Sequence, residues 1–73
     1  MDGLVVLGGW YRTKNHRDAQ MQSRRFREGK PIYTATVYEG WGTWMQNYDE
    51  KGVCLNGKSE YNLDYKQKRP QYR

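Results

Sequence analysis

Residues 32–48 read IYTATVYEGWGTWMQNY, and this stretch decides the fold. Ile32–Tyr38 is dense in β-branched and aromatic residues, which fit a pleated, half-buried surface better than a helix. Tyr33, Ala35 and Val37 alternate with Ile32, Thr34, Thr36 and Tyr38, the two-residue period of a strand. Glu39-Gly40 is a turn signal, and Trp41–Tyr48 reads as the partner strand. The centre of the chain is therefore an antiparallel hairpin.

Working toward the C-terminus, Asp49–Gly52 marks a second turn. Val53-Cys54-Leu55 then leads to Asn56-Gly57, the dipeptide best suited to a two-residue type I′ turn, so Tyr61–Tyr65 is expected to pair back. Lys66–Arg73 has no apolar face and contains Pro70, which predicts a flexible basic tail. Toward the N-terminus, Leu4–Leu7 is a short apolar run closed by Gly8-Gly9 and reads as a buried strand that Trp10-Tyr11-Arg12 extends. Asn15 resembles a helix N-cap with Asp18 at the third helical position, and Gly29 and Pro31 supply a stop. The expectation is a short helix over about 16–28 with a thin apolar stripe of Ala19, Met21, Gln22 and Phe26, an ordered basic loop being the alternative. Together these elements predict an α+β fold: a small antiparallel sheet of three or four strands, one helix, a single domain over 1–65 and a tail over 66–73.

Composition says what holds such a domain together. Only ten of the 73 residues are Leu, Ile, Val or Phe, while three Trp and seven Tyr are present. Each of those rings buries about 150–250 Å² when enclosed, so the expected core is aromatic. No run approaches the roughly 20 apolar residues of a membrane span. Leu4–Leu7 is too short for the core of a signal peptide and follows Asp2 instead of a basic segment. The single cysteine, Cys54, forms no internal disulfide, which suits a reducing cytosol.

Charge is segregated. The formal net charge is +5, with residues 1–30 at +4, residues 31–65 at −3 and residues 66–73 at +4. This basic–acidic–basic layout fits a partner that offers surfaces of both signs better than a uniform polyanion.

Enzymatic motifs are poorly met. After Gly8-Gly9 come Trp10, Tyr11 and Arg12, and Thr13 precedes Lys14, so neither a phosphate loop nor a dinucleotide fingerprint is present. His16 lies among Lys14, Asn15 and Arg17 with no nucleophile motif; as a catalytic base beside Asp18 it would make the chain a small nuclease-like enzyme or toxin, and as a solvated histidine it does nothing. Cys54 between Val53 and Leu55 reads as a small buried hydrophobe. Glu39, Asp49, Glu50, Glu60 and Asp64 fall in or beside turns, as solvated carboxylates or as an acid pair or cation site. No cofactor or metal is expected: one Cys and one His show no ligand spacing.

Binding motifs are stronger. Arg24, Arg25, Arg27 and Lys30 cluster, and Lys66, Lys68 and Arg69 of the tail extend the basic character. They either complement a helix dipole or contact phosphates and carboxylates. Trp10, Tyr11, Trp41, Trp44 and Tyr48 are the candidate partner-binding residues, since interface energy concentrates in desolvated Trp and Tyr. Trp41 and Trp44 are three apart, which in a strand places them on opposite faces. A small nucleic-acid module that stacks bases on these rings is the alternative reading.

The start MDGLVVLGGW (Met1–Trp10), the middle YTATVYEGWGTWMQNYDEKG and the length resemble the small RNA-polymerase-binding regulators of lytic Xanthomonas phages. The resemblance spans residues 1–73 and rests on no catalytic motif. It implies a phage protein acting in the host bacterial cytoplasm without catalysis. Such a protein binds the β and β′ subunits of host RNA polymerase near the RNA exit channel, with nascent RNA close by. It inhibits initiation by displacing σ and promotes antitermination. No residue role transfers with it.

Overall fold

The computed structural model describes residues 5–66. It contains four strands: β1 (Trp10–Arg12), β2 (Asp18–Arg27), β3 (Lys30–Glu39) and β4 (Gly42–Tyr48). They form one antiparallel sheet in the order β1-β2-β3-β4, so every strand lies beside its sequence neighbour. The central hairpin stands as expected, with Val37 opposite Trp44 and Tyr33 opposite Tyr48. One 3₁₀ turn, Ser59–Tyr61, follows, and the described residues contain no α-helix.

The expected helix over 16–28 is therefore a correction: those residues form the loop into β2 and β2 itself. Ala19 and Met21 are wholly buried and lie two apart, which is strand spacing. The feature that resembled a helix stop, Glu28-Gly29, closes a hairpin. Glu28 has φ 53° and Gly29 φ 80°, the two positive values that a type I′ turn requires. Pairing with β3 runs from Asp18↔Tyr38 to Arg27↔Lys30, with a bulge between Met21 and Ser23.

One face of the sheet carries the core. Tyr11, Ala19, Met21, Tyr33, Ala35, Val37 and Tyr48 form a continuous cluster with Val5 and Leu63 from outside the sheet. Trp44, Cys54, Tyr61 and Tyr65 pack against its margin. The covering layer comes from the two flanks of the chain. Val5 N–H donates to Glu50 O (2.9 Å), and Leu63 bridges Thr13 in an antiparallel contact. Lys14 N–H donates to Asn62 O and Asp64 N–H to Arg12 O (2.9 and 2.8 Å), so residues 60–64 extend the sheet beside the end of β1. Tyr48 anchors this layer to the sheet: it is wholly buried, and its hydroxyl donates to Tyr61 O at 2.7 Å.

Two further strand expectations are revised. Asn56-Gly57 makes no hairpin between 53–55 and 61–65. Asn56 instead turns its side chain onto β4, where Oδ1 accepts from Asn47 N–H (2.8 Å), while Leu55 N–H donates to Asn47 O (2.8 Å). The Asn side chain takes up an edge group that a fifth strand would otherwise satisfy. Residues 5–9 form no strand; Val5 is buried, and Val6 and Leu7 are more than half exposed. Leu4 and residues 67–73, including Lys68 and Arg69 of the expected tail, lie outside the described residues, while Lys66 is exposed.

Candidate interaction surfaces

Three surfaces gather the residues that sequence reasoning singled out. The first is an aromatic ladder at the β3–β4 turn. Trp41 lies in the turn just before β4 and is 80% exposed, the most exposed large apolar side chain among the described residues. Its ring stacks on Trp44 at 5.9 Å between centroids with a 20° interplanar angle. Trp44 in turn meets Tyr61 edge-on at 5.3 Å and 87°. The expectation that Trp41 and Trp44 face opposite sides is thus corrected. Strand alternation begins only at Gly42, and the turn backbone returns Trp41 to the face of Trp44. Since Trp44 packs against the core margin, the ladder is fixed at its inner end and open at its outer end.

The second surface is the uncovered face of the sheet. Trp10 and Tyr38 pack at 5.5 Å and 31° there, near Gln20, Thr36 and Met45. Trp10 is half-buried, and Met45 is 53% exposed. Tyr11 and Tyr48, also expected to bind a partner, are 2% and 0% exposed and belong to the core. Their hydroxyls serve the fold, since Tyr11 Oη accepts from Val6 N–H at 2.9 Å. Burial pushes the Tyr48 phenol above its ordinary value, because the interior disfavours the phenolate.

The third surface is the β2–β3 arm. Residues Gln22–Lys30 are all exposed. Arg24, Arg25, Arg27 and Lys30 therefore gather on the outer half of a hairpin, and no helix dipole accounts for them. The guanidinium of Arg24 lies 5.4 Å from the Phe26 ring centroid, and Phe26 is 65% exposed. Sequence reasoning placed Phe26 on a helix stripe; the signal for its role is the Arg-Arg-Phe-Arg run itself.

The ionisable residues form no comparable constellation. A shallow cleft collects Arg12, His16, Arg17, Asp18, Tyr38 and Glu39. Asp18 Oδ1 lies 2.8 Å from Arg12 Nε, and Glu39 Oε1 lies 2.5 Å from Arg17 Nε. The Glu39 hydrogen bond raises the already high pKa of Arg17. Each carboxylate in the cleft is thus engaged by an arginine. His16 sits in the β1–β2 loop with φ 66°, its N–H donating to Thr13 O at 2.9 Å. Thr13, wholly buried, ties that loop together: its Oγ1 accepts from Arg17 N–H at 2.9 Å and donates to Asn15 Oδ1. Asp49 is likewise occupied, Oδ1 accepting from Lys51 and Val53 N–H (both 2.9 Å). Among the described residues no group of three or more His, Cys, Asp or Glu converges as a metal site would, and no helix is long and apolar enough to cross a membrane.

Comparison of the chain with known protein families, with characterised proteins and with solved structures finds no match.

Proposed function

We propose that this chain is a non-catalytic binding protein that docks on a large protein assembly through the Trp41–Trp44–Tyr61 ladder. The observation that carries the reading is the 80% exposure of Trp41 on a ring stack anchored in the core margin. A scattered surface apolar residue is ordinary, but an exposed indole held in a fixed stack has lost its conformational freedom before binding. Such an anchor is worth about 2–4 kcal/mol when it enters a desolvated pocket. Together with Trp10 and Met45 on the uncovered sheet face, it gives two apolar patches suited to two contacts on one partner.

The resemblance supplies the identity of the assembly. In this reading the partner is bacterial RNA polymerase in the host cytoplasm, gripped at its β and β′ subunits beside the RNA exit channel. Inhibition of initiation then follows from competition with σ for an overlapping surface, and antitermination from occupancy of the exit channel. Neither needs a chemical step.

The test is capture from nuclease-treated bacterial lysate with the intact protein as bait, washed at low and high salt. Recovery of the β and β′ subunits, with Trp41→Ala recovering far less, supports the reading. Absence of both subunits, or equal recovery by Trp41→Ala, refutes it.

A further inference from the structure

We infer that the β2–β3 arm is a binding site for single-stranded nucleic acid, with Arg24, Arg25 and Arg27 holding phosphates and Phe26 stacking a base. Four observations converge on it. The arm is regular: a type I′ turn closes it, and cross-strand pairing continues to Arg27↔Lys30 at its tip. It is open along one edge, because β1 pairs with β2 only over Asp18–Gln20 and no strand lies beside Gln22–Arg27 among the described residues. It is basic along that edge, since residues 19–27 include three arginines and no carboxylate. It presents an exposed aromatic ring, Phe26, already carrying a guanidinium over its face.

Strand geometry arranges these groups for a nucleic-acid backbone. Arg25 and Arg27 lie two apart on one side of the ribbon, roughly 6.7 Å apart along the strand. That is close to the separation of successive phosphates on one strand. Arg24 and Phe26 lie on the other side of the same edge. A single strand following the edge meets cations on both flanks and one ring able to take an unstacked base. Arg25 is held over the ribbon face on its β3 side, its Nη1 donating to Thr34 Oγ1 at 3.2 Å, and Thr34 in turn donates to Asn47 Oδ1 at 3.0 Å, so its cation flanks the edge from that face. Of the nearby carboxylates, Glu28 and Asp49 share a shallow cleft with Arg27 and Lys30, and Asp49 and Glu50 border a second one at Lys30; Arg24 and Arg25 line neither. Arginines on a free edge also discourage strand-to-strand aggregation. That role gives no reason for an exposed phenylalanine among them. A base-paired duplex offers no open base to Phe26, so the site selects single strands.

The experiment is a fluorescence-anisotropy titration of the intact protein with labelled oligo(U) and oligo(dT) of about twelve nucleotides at several salt concentrations. Three phosphate contacts predict a log–log salt slope of about −2. Arg25→Ala/Arg27→Ala should reduce the slope to about −0.7. Phe26→Ala should weaken binding about tenfold at fixed salt while leaving the slope unchanged. Saturable binding of either oligonucleotide with these responses supports the site. Trp41→Ala should bind as the parent does, which separates this site from the docking ladder. Lys66→Ala/Lys68→Ala/Arg69→Ala should also retain binding. The inference is overturned by no saturable binding at low salt, by Phe26→Ala binding as the parent does, by duplex binding equal to or tighter than single strands, or by loss of binding in the tail variant. Phe26 and the arginines are exposed, and an unchanged thermal unfolding curve checks that each variant is folded.

Discussion

Raising the pH tests the packing of Tyr48, which joins the sheet to its covering layer. Tyr48 has no exposed surface and spends its hydroxyl on Tyr61 O. Burial raises its pKa above the ordinary 10.0, so the folded protein holds this proton where the unfolded chain releases it. The associated stability is fully present below pH 10, and it is lost as pH rises from 10 toward the folded value. The loss is about 1.4 kcal/mol per pH unit for one proton. Tyr48→Phe keeps the ring and removes both the proton and the hydrogen bond, so near pH 8 it should be less stable by about 1 kcal/mol. Above pH 10 the parent descends more steeply than the variant by that single-proton slope. The two stabilities should therefore cross within about one pH unit above 10. Urea unfolding followed by Trp fluorescence, from pH 8 to about 11.5, measures this. Groups common to both proteins cancel in the difference. Parallel curves across the whole range would refute the reasoning, because they would mean that Tyr48 titrates alike in the folded and unfolded chain.

The remaining predictions concern the arm, a close backbone approach and the ladder. Glu28 occupies a left-handed position (φ 53°) that favours Asn, so Glu28→Asn should stabilise by about 0.5–1 kcal/mol and raise Tm by about 2–8 °C; a lowered Tm would contradict the I′ assignment. Gly52 has φ 90°, and a Cβ there would lie 2.6 Å from Tyr65 Oη and 3.0 Å from Leu63 Cβ. Gly52→Ala should therefore cost at least about 1 kcal/mol and lower Tm by about 5 °C or more, read by thermal unfolding. Trp44→Ala should lower Tm while Trp41→Ala leaves it nearly unchanged, since Trp44 packs against the core margin and Trp41 is held only at one face. Equal losses would place Trp41 in the structural core.

What the sequence made legible follows from how local each signal is. Residues 32–48 carry a strand period, a turn and a second strand within seventeen positions, and the structure keeps all three. Residues 16–28 carry signals shared by two structures. Asn15 and Asp18 mimic a capped helix start, whereas the Asn15 side chain accepts from Thr13 Oγ1 inside a loop. Gly29 mimics a helix stop, whereas its positive φ closes a hairpin. The deciding fact is non-local: β3 needs a second neighbour, and Ala19 and Met21 supply the small and flexible buried faces for it. Asn56-Gly57 failed as a hairpin signal for the same reason, because the flanking segments find better partners in β4 and in residues 12–15. Seven tyrosines give no sequence clue to which are inside. Tyr11 and Tyr48 are buried because their strands direct them inward and a backbone group meets each hydroxyl. Trp41 is outside because the turn places it beyond the covering layer.

The most direct test of the account as a whole is the affinity of purified bacterial RNA polymerase for the fluorescently labelled protein and for its Trp41→Ala variant, with unfolding curves recorded in parallel. Saturable binding, weakened about 30-fold or more by the variant at unchanged Tm, is the predicted result. Identical affinities, or no binding to polymerase at all, would contradict the claim that an exposed, stacked indole joins this small sheet to a transcribing assembly.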